Sequence, residues 1–113
     1  MGYTQVCSVG DPESPEWKIA WPQLVQDVHK IVETAEVLVS GPTDDKETVT
    51  PFLADPNRGI YINGVGSGAH DPFVLRPGQW DAFCQTAHKS YEKVVICILL
   101  RAYKLAPESF AYE

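Results

Sequence analysis

The stretch from residue 79 to residue 106 is the longest part of the chain that neither Gly nor Pro interrupts. Its apolar residues recur with the period of about 3.6 residues that is typical of an α-helix. We therefore predict one long helix that begins near Pro77 and Gly78, ends at about Leu105 and stops before Pro107. The residues predicted to form its core-facing stripe are Trp80, Phe83, Cys84, Ala87, Tyr91, Val94, Val95, Ile98, Ala102 and Leu105. An alternative interpretation makes residues 94–100 a buried strand, because this segment is rich in β-branched side chains.

The same helix carries a second apolar row on its opposite side. Its members, spaced i, i+3, i+4 and i+7, are Ile96, Leu99, Leu100 and Tyr103. A helix of about 27 residues would be roughly 40 Å long, whereas a domain of this size has a radius of gyration of about 13 Å. This pattern predicts an association surface, most simply a homodimer interface made by these four residues. The alternative is a central helix that the rest of the domain covers on both sides.

A shorter amphipathic helix is predicted from Pro22 to about Ser40. Pro22 suits the first helical position, and Gly41 followed by Pro42 suggests a left-handed cap and a stop. The preceding residues 10–20 contain two prolines and are predicted to be a linker.

Short strands are predicted in the middle of the chain, at residues 48–54, 59–62 and 73–75, and another at residues 3–9. The segment between the first two, Asp55-Pro56-Asn57-Arg58-Gly59, has the residues of a tight turn and predicts a hairpin. The sequence thus predicts one α+β domain over residues 1–113: two long helices, about 22–40 and 78–105, packed with a small antiparallel sheet or hairpin. Residues 107–113 would be a tail.

Composition excludes several classes of protein. The formal net charge of −6 opposes binding to the phosphates of nucleic acid. The odd set of three cysteines, Cys7, Cys84 and Cys97, argues against a disulfide framework. No apolar run approaches the roughly 18 residues of a membrane span, and the amino terminus resembles neither a secretion signal nor a lipidation motif. We expect a cytoplasmic protein.

A glycine-rich segment, residues 62–72, is the most unusual stretch of the sequence. Alternating glycines let a backbone approach a ligand closely and offer N–H groups to an anion. The candidate ligand-binding residues, which include two lysines of the second helix, are Asn63, Gly64, Gly66, Ser67, Gly68, His70, Lys89 and Lys93. The segment matches neither the P-loop nor the dinucleotide fingerprint, so a flexible connecting loop is the favoured interpretation and a ligand-contacting loop is the alternative.

The cations of the second helix, Lys89, Lys93, Arg101 and Lys104, share one flank. A solvated flank that offsets the helix dipole is a sufficient explanation, and docking of an anionic partner is the alternative, which would also need a pocket.

The remaining chemistry-bearing residues are Cys84 and His88, four apart on the predicted helix, with His70 and Asp71 in the loop. They suggest a zinc site or a Cys nucleophile with a His base. However, only one closely spaced pair of ligands is present, and Cys84 falls on the core stripe, where a thiol behaves as a small apolar group. We therefore predict no catalytic residue, no metal and no cofactor.

The aromatic residues around the start of the second helix, Trp80, Phe83 and Tyr91 together with Phe73, could wall a cavity, but they are more simply explained as core.

In size, paired helices and lack of a catalytic motif, the chain is similar to accessory proteins of bacteriophages and mobile elements. No defined motif carries this resemblance, and it assigns no residue a role. The leading hypothesis is a non-enzymatic protein that associates with another protein. The alternatives are a binding module for a nucleotide or another small anion, and a metal- or thiol-dependent enzyme.

Overall fold

The computed structural model describes residues 4–45 and 47–112 and confirms the predicted α+β class, with two helices and two small antiparallel sheets. The elements in chain order are β1 (Thr4–Val9), α1 (Pro15–Ala35), β2 (Leu53–Asp55), β3 (Gly59–Ile62), β4 (Phe73–Leu75), β5 (Asp81–Gln85), α2 (Glu92–Leu105) and β6 (Phe110–Tyr112).

The first sheet has the strand order β5-β1-β6, and the second has the order β2-β3-β4. In the first sheet, Cys7 of the central strand lies opposite Ala82 and Tyr112. Side chains alternate along β1, so that Cys7 and Val9 are buried while Val6 and Ser8 are exposed. The first sheet therefore turns one face to the core and leaves the other uncovered.

The predicted hairpin is confirmed between β2 and β3, where Ala54 lies opposite Ile60. The carboxylate of Asp55 accepts hydrogen bonds from the backbone N–H groups of Asn57 and Arg58, at 2.7 and 2.9 Å. Gly59 follows with a φ of 101°, which a residue with a Cβ rarely adopts. Strand β2 is shorter than predicted and covers only the last part of residues 48–54.

The start of α1 corrects the prediction, because residues 15–20 belong to the helix and not to a linker. The hydroxyl of Ser14 accepts a hydrogen bond from the N–H of Trp17 at 3.2 Å, and Pro15 occupies the first helical turn. Pro22 lies inside the helix. The left-handed residue at the other end is Glu36, with a φ of 55°, so the helix ends at Ala35, six residues before Gly41.

The prediction of one helix from 78 to 105 is wrong in its first half. Residues 81–85 form β5, which pairs antiparallel with β1, and α2 begins at Glu92. The alternating burial of these five residues suits a strand with one face on the core, and pairing with β1 satisfies their backbone. Helical structure at residues 94–100 is confirmed. The 14 residues of α2 span about 21 Å, so its length does not require a second chain.

Helix α2 packs against α1, β1 and β6. Its buried residues include Leu99, which is 1% exposed and therefore belongs to the core. Trp17 of α1 stacks on Phe110 of β6, with ring centroids 5.6 Å apart, and this contact closes the core at the start of α1. Trp80 and Phe83, predicted in the core, are 61% and 63% exposed.

Because Ser14 supplies the side-chain cap of α1, we expect Ser14→Ala to lower the free energy of unfolding by about 1 kcal/mol. Ser14→Asn restores an acceptor at the cap and should recover most of the loss. Urea denaturation followed by circular dichroism compares the variants. Equal stability of Ser14→Ala and the wild type would contradict the assigned helix start.

Candidate functional site

The glycine-rich loop is closed by the side chain of Asn63. Its amide nitrogen donates to the carbonyl of His70 at 2.9 Å, and its Oδ1 accepts from the N–H groups of Gly64 and His70, at 2.8 and 3.1 Å. Gly64 is required for packing, since a Cβ there would lie 1.9 Å from the carbonyl oxygen of Gly68. The loop is therefore a built, compact connection between β3 and β4.

Much of the backbone that was predicted to bind an anion is engaged within the loop. The N–H groups of Gly68 and Ala69 donate to the carbonyls of Val65 and Gly66 in a single 3-10 turn. The N–H groups of Gly64 and His70 are held by Asn63. These four donors are unavailable to a ligand while the loop keeps this conformation.

Two cavities adjoin the loop, and together they contain only three of the predicted binding residues. Gly68 lines a cavity of about 370 Å³ together with Glu36, Val37, Leu38, Val65, Ser90 and Tyr91. Asn63 and Gly64 line another of about 80 Å³. The lining of neither cavity includes Gly66, Ser67, His70, Lys89 or Lys93. The structure thus does not gather the predicted residues around one ligand-sized space.

Cys84 and His88 do not share a helix face, which corrects the sequence-based pairing. Cys84 is buried on β5, and its Sγ donates to the carbonyl of Asp71 at 3.3 Å. His88 is exposed in the turn before α2, where its Nδ1 lies 3.5 Å from a carboxylate oxygen of Glu92. His70 is tied to the carbonyl of Gln85 at 2.6 Å. Among residues 4–45 and 47–112, no three His, Cys, Asp or Glu side chains form a group that could hold one metal ion.

The buried thiols are poor nucleophiles. Burial raises the pKa of Cys84 to about 12, and burial likewise raises the pKa of Cys7 to about 11. Burial also raises the pKa of Tyr91, whose hydroxyl donates to the carbonyl of Asp71 at 2.5 Å. Both thiols are therefore protonated at neutral pH, and thiolate chemistry needs the opposite shift.

The turn between β5 and α2 is strained. Ala87 and His88 both have positive φ, 52° and 59°, and the N–H of Lys89 donates to the carbonyl of Thr86 at 2.9 Å. This is the pattern of a type I′ turn, which glycine and asparagine normally occupy. The tight turn reverses the chain so that α2 can pack against the sheet that contains β5.

The outward side of α2 carries most of the predicted association row. Leu100 and Tyr103 are 53% and 51% exposed, and Ile96 is half-buried. The fourth predicted member, Leu99, points into the core and leaves the row. We use the name α2 strip for Ile96, Leu100 and Tyr103, which are spaced i, i+4 and i+7 and lie on one helix face.

Sequence reasoning missed two exposed features. Phe83 lies directly opposite Val6 on the uncovered face of the first sheet, because its segment forms a strand. A groove between α1 and α2 has Cys97 in its lining. The alternating strand pattern over residues 81–85 is the sequence signal that could have revealed the exposed Phe83. The groove has no such signal, because only the packing of the two helices creates it.

Comparisons with family models, with curated proteins and with solved structures found no match. The resemblance to phage accessory proteins accordingly stays a prediction. No helix in the described part of the chain combines the length and apolar character of a membrane span.

Strain at the type I′ turn predicts that Ala87→Gly stabilises the protein. Glycine adopts the left-handed conformation without the strain that the Cβ of alanine causes. This gain outweighs the conformational entropy that glycine adds to the unfolded chain, so the free energy of unfolding should rise by about 0.5 to 1 kcal/mol. Ala111→Gly, in strand β6, should be destabilising and serves as the control. Thermal unfolding measures both, and a lower melting temperature for Ala87→Gly would contradict the assigned turn.

Cys7 and Cys84 are buried, and burial raises the pKa of both thiols, whereas Cys97 is exposed. We therefore predict that Cys97 alone reacts in the native protein. Mass spectrometry after iodoacetamide treatment at neutral pH should show one adduct, and three after denaturation. Cys97→Ser should show none while folded. A native adduct on Cys84 would revive the thiol-enzyme hypothesis.

Proposed function

We propose that this is a non-enzymatic protein that acts by associating with another protein through the α2 strip. The observation that carries the proposal is a pair of large, half-exposed side chains, Leu100 and Tyr103, on a helix whose other side is anchored in the core. A rigid helix presents such side chains without a large loss of conformational entropy on binding.

The spacing of the strip suits a protein partner. Residues spaced i, i+4 and i+7 form a continuous apolar ridge about 11 Å long along the helix. Ridges of this kind pack against a groove or another helix. Tyr103 adds a ring with a polar hydroxyl, which is a residue type enriched at interfaces.

The charges beside the strip define the chemistry of that partner. Lys93 and Lys104 are exposed on the row next to Leu100, and no carboxylate of the described residues lies within salt-bridge distance of them. These two lysines give the surface beside the strip a positive charge in a chain whose formal net charge is −6. An acidic partner segment with apolar anchors is complementary to this surface.

This charge pattern also bears on the homodimer hypothesis. In a twofold dimer each strip would meet a copy of itself, and its lysines would face like charges. An acidic protein partner avoids this repulsion, so we prefer it to a second copy.

Affinity capture with matched variants tests the proposal. Leu100→Glu and Tyr103→Glu place a carboxylate in the strip, whereas Ile19→Glu changes a 78% exposed residue of α1 and serves as the control. A partner retained by the wild type and by Ile19→Glu should be reduced at least tenfold by either strip variant. Lys93→Gln with Lys104→Gln should weaken capture most at low salt, where exposed charges are least screened.

Equal capture by all variants would contradict the proposal. Light scattering on the purified protein examines self-association separately. A dimer that Leu100→Glu dissociates would identify the partner as a second copy, and a monomer throughout would reject the homodimer. Circular dichroism must show that each variant is folded.

A further inference from the structure

A groove of about 470 Å³ lies between α1 and α2, away from the glycine-rich loop. It is lined by Asp27, Lys30, Ile31, Thr34, Ala35, Cys97 and Arg101. Its volume falls within the range of roughly 300 to 1,000 Å³ that small-molecule sites occupy. No residue of the α2 strip lines it.

One end of the groove is polar. The Nε of Arg101 donates to Oδ2 of Asp27 at 2.7 Å, and this ion pair bridges the two helices. Burial raises the pKa of Asp27, but hydrogen bonds from Arg101 and Gln23 outweigh it and leave the pKa below its ordinary value. The carboxylate therefore stays ionised and holds the guanidinium in place.

The same end carries an excess of positive charge. Asp27 neutralises one cation only, while Lys30, one helical turn further along α1, has no carboxylate of the described residues within salt-bridge distance. The hydrogen bond to Asp27 uses only the Nε of Arg101, and the described residues give its two Nη groups no hydrogen-bond partner. Guanidinium nitrogens of this kind bind a carboxylate with two parallel hydrogen bonds.

The other end of the groove is mainly apolar, although Thr34, next to Ala35, also lines the groove. Ile31 and Ala35 are half-buried along α1, and Cys97 faces them from α2. The distance along α1 from residue 27 to residue 35 is roughly 12 Å. The groove thus changes from a cationic end to an apolar end over the length of a short aliphatic chain.

We infer that this groove binds an amphiphilic monocarboxylate, with the carboxylate on Arg101 and Lys30 and the aliphatic chain on Ile31, Ala35 and Cys97. Charge complementarity selects the anion, because the local excess of one cation stands out in a chain of net charge −6. The apolar end selects a tail, and each methylene that becomes buried should tighten binding roughly fourfold. The inference is independent of the α2 strip.

Cys97 provides a reporter inside the groove. It is exposed, whereas Cys7 and Cys84 are buried. A ligand that fills the apolar end must slow alkylation of this one thiol. The ligand concentration that gives half-maximal protection then measures the dissociation constant.

The experiment measures the rate of iodoacetamide alkylation of the full chain against increasing decanoate, below its micelle concentration. Saturating decanoate should slow the reaction at least tenfold. Octanoate should bind roughly fifteenfold more weakly, because it lacks two methylenes. Decanol has the same aliphatic chain as decanoate but no charge. It should protect Cys97 only at concentrations at least tenfold higher than those of decanoate.

Matched variants assign the binding to the groove. Lys30→Glu should raise the half-protection concentration of decanoate at least tenfold. Lys18→Glu makes the same charge change on α1 at an exposed residue outside the groove and should alter it less than twofold. Both variants replace exposed side chains, and circular dichroism confirms that they are folded.

Three results would overturn the inference. They are no protection by any of the three compounds, equal protection by decanol and decanoate, and equal effects of Lys30→Glu and Lys18→Glu.

Discussion

The hydrogen bonds around the first turn of α2 join the two sheets, and the rest of the fold depends on them. The hydroxyl of Tyr91 donates to the carbonyl of Asp71, in the segment that leads into β4. The carboxylate of Glu92 accepts from Thr86 at 2.5 Å and from Gln5 of β1 at 3.3 Å. The Tyr91 hydroxyl and the Glu92 carboxylate are largely removed from water, so leaving either group without its hydrogen bonds would be costly. Tyr91 and Glu92 therefore hold the helix against both sheets.

A helix fixed in this way is covered on its inner side and free on its outer side. The inner side supplies Val94, Val95, Ile98, Leu99 and Ala102 to the core. The outer side carries both proposed surfaces, with the α2 strip on one flank and the interhelical groove on the other. The protein-binding and carboxylate-binding proposals thus share one rigid support, although they use different residues.

Local signals predicted the elements that local chemistry determines. The hairpin after Asp55 needed only a turn whose side chain caps its own backbone, and it formed where expected. The helical period of residues 94–105 was likewise sufficient to predict most of α2. By contrast, α1 starts at residue 15 because Ser14 caps it, although the two prolines of residues 10–20 favour a linker. Strand β5 has the alternating pattern of a strand over residues 81–85, but its partner, β1, lies more than seventy residues earlier in the chain, so local sequence does not show which strand satisfies its backbone.

The sequence alone determined the α+β class, the turn of the hairpin and the helical period of residues 94–105, since propensity and periodicity act over a few residues. Tertiary structure alone decided which apolar residues face water. Phe83 is exposed because pairing with β1 turns it to the uncovered face of the sheet, and Leu99 is buried because α2 packs deeply against its neighbours. The interhelical groove arises in the same way, because its volume depends on how closely α1 and α2 approach each other, and this distance is set by contacts between residues far apart in the chain.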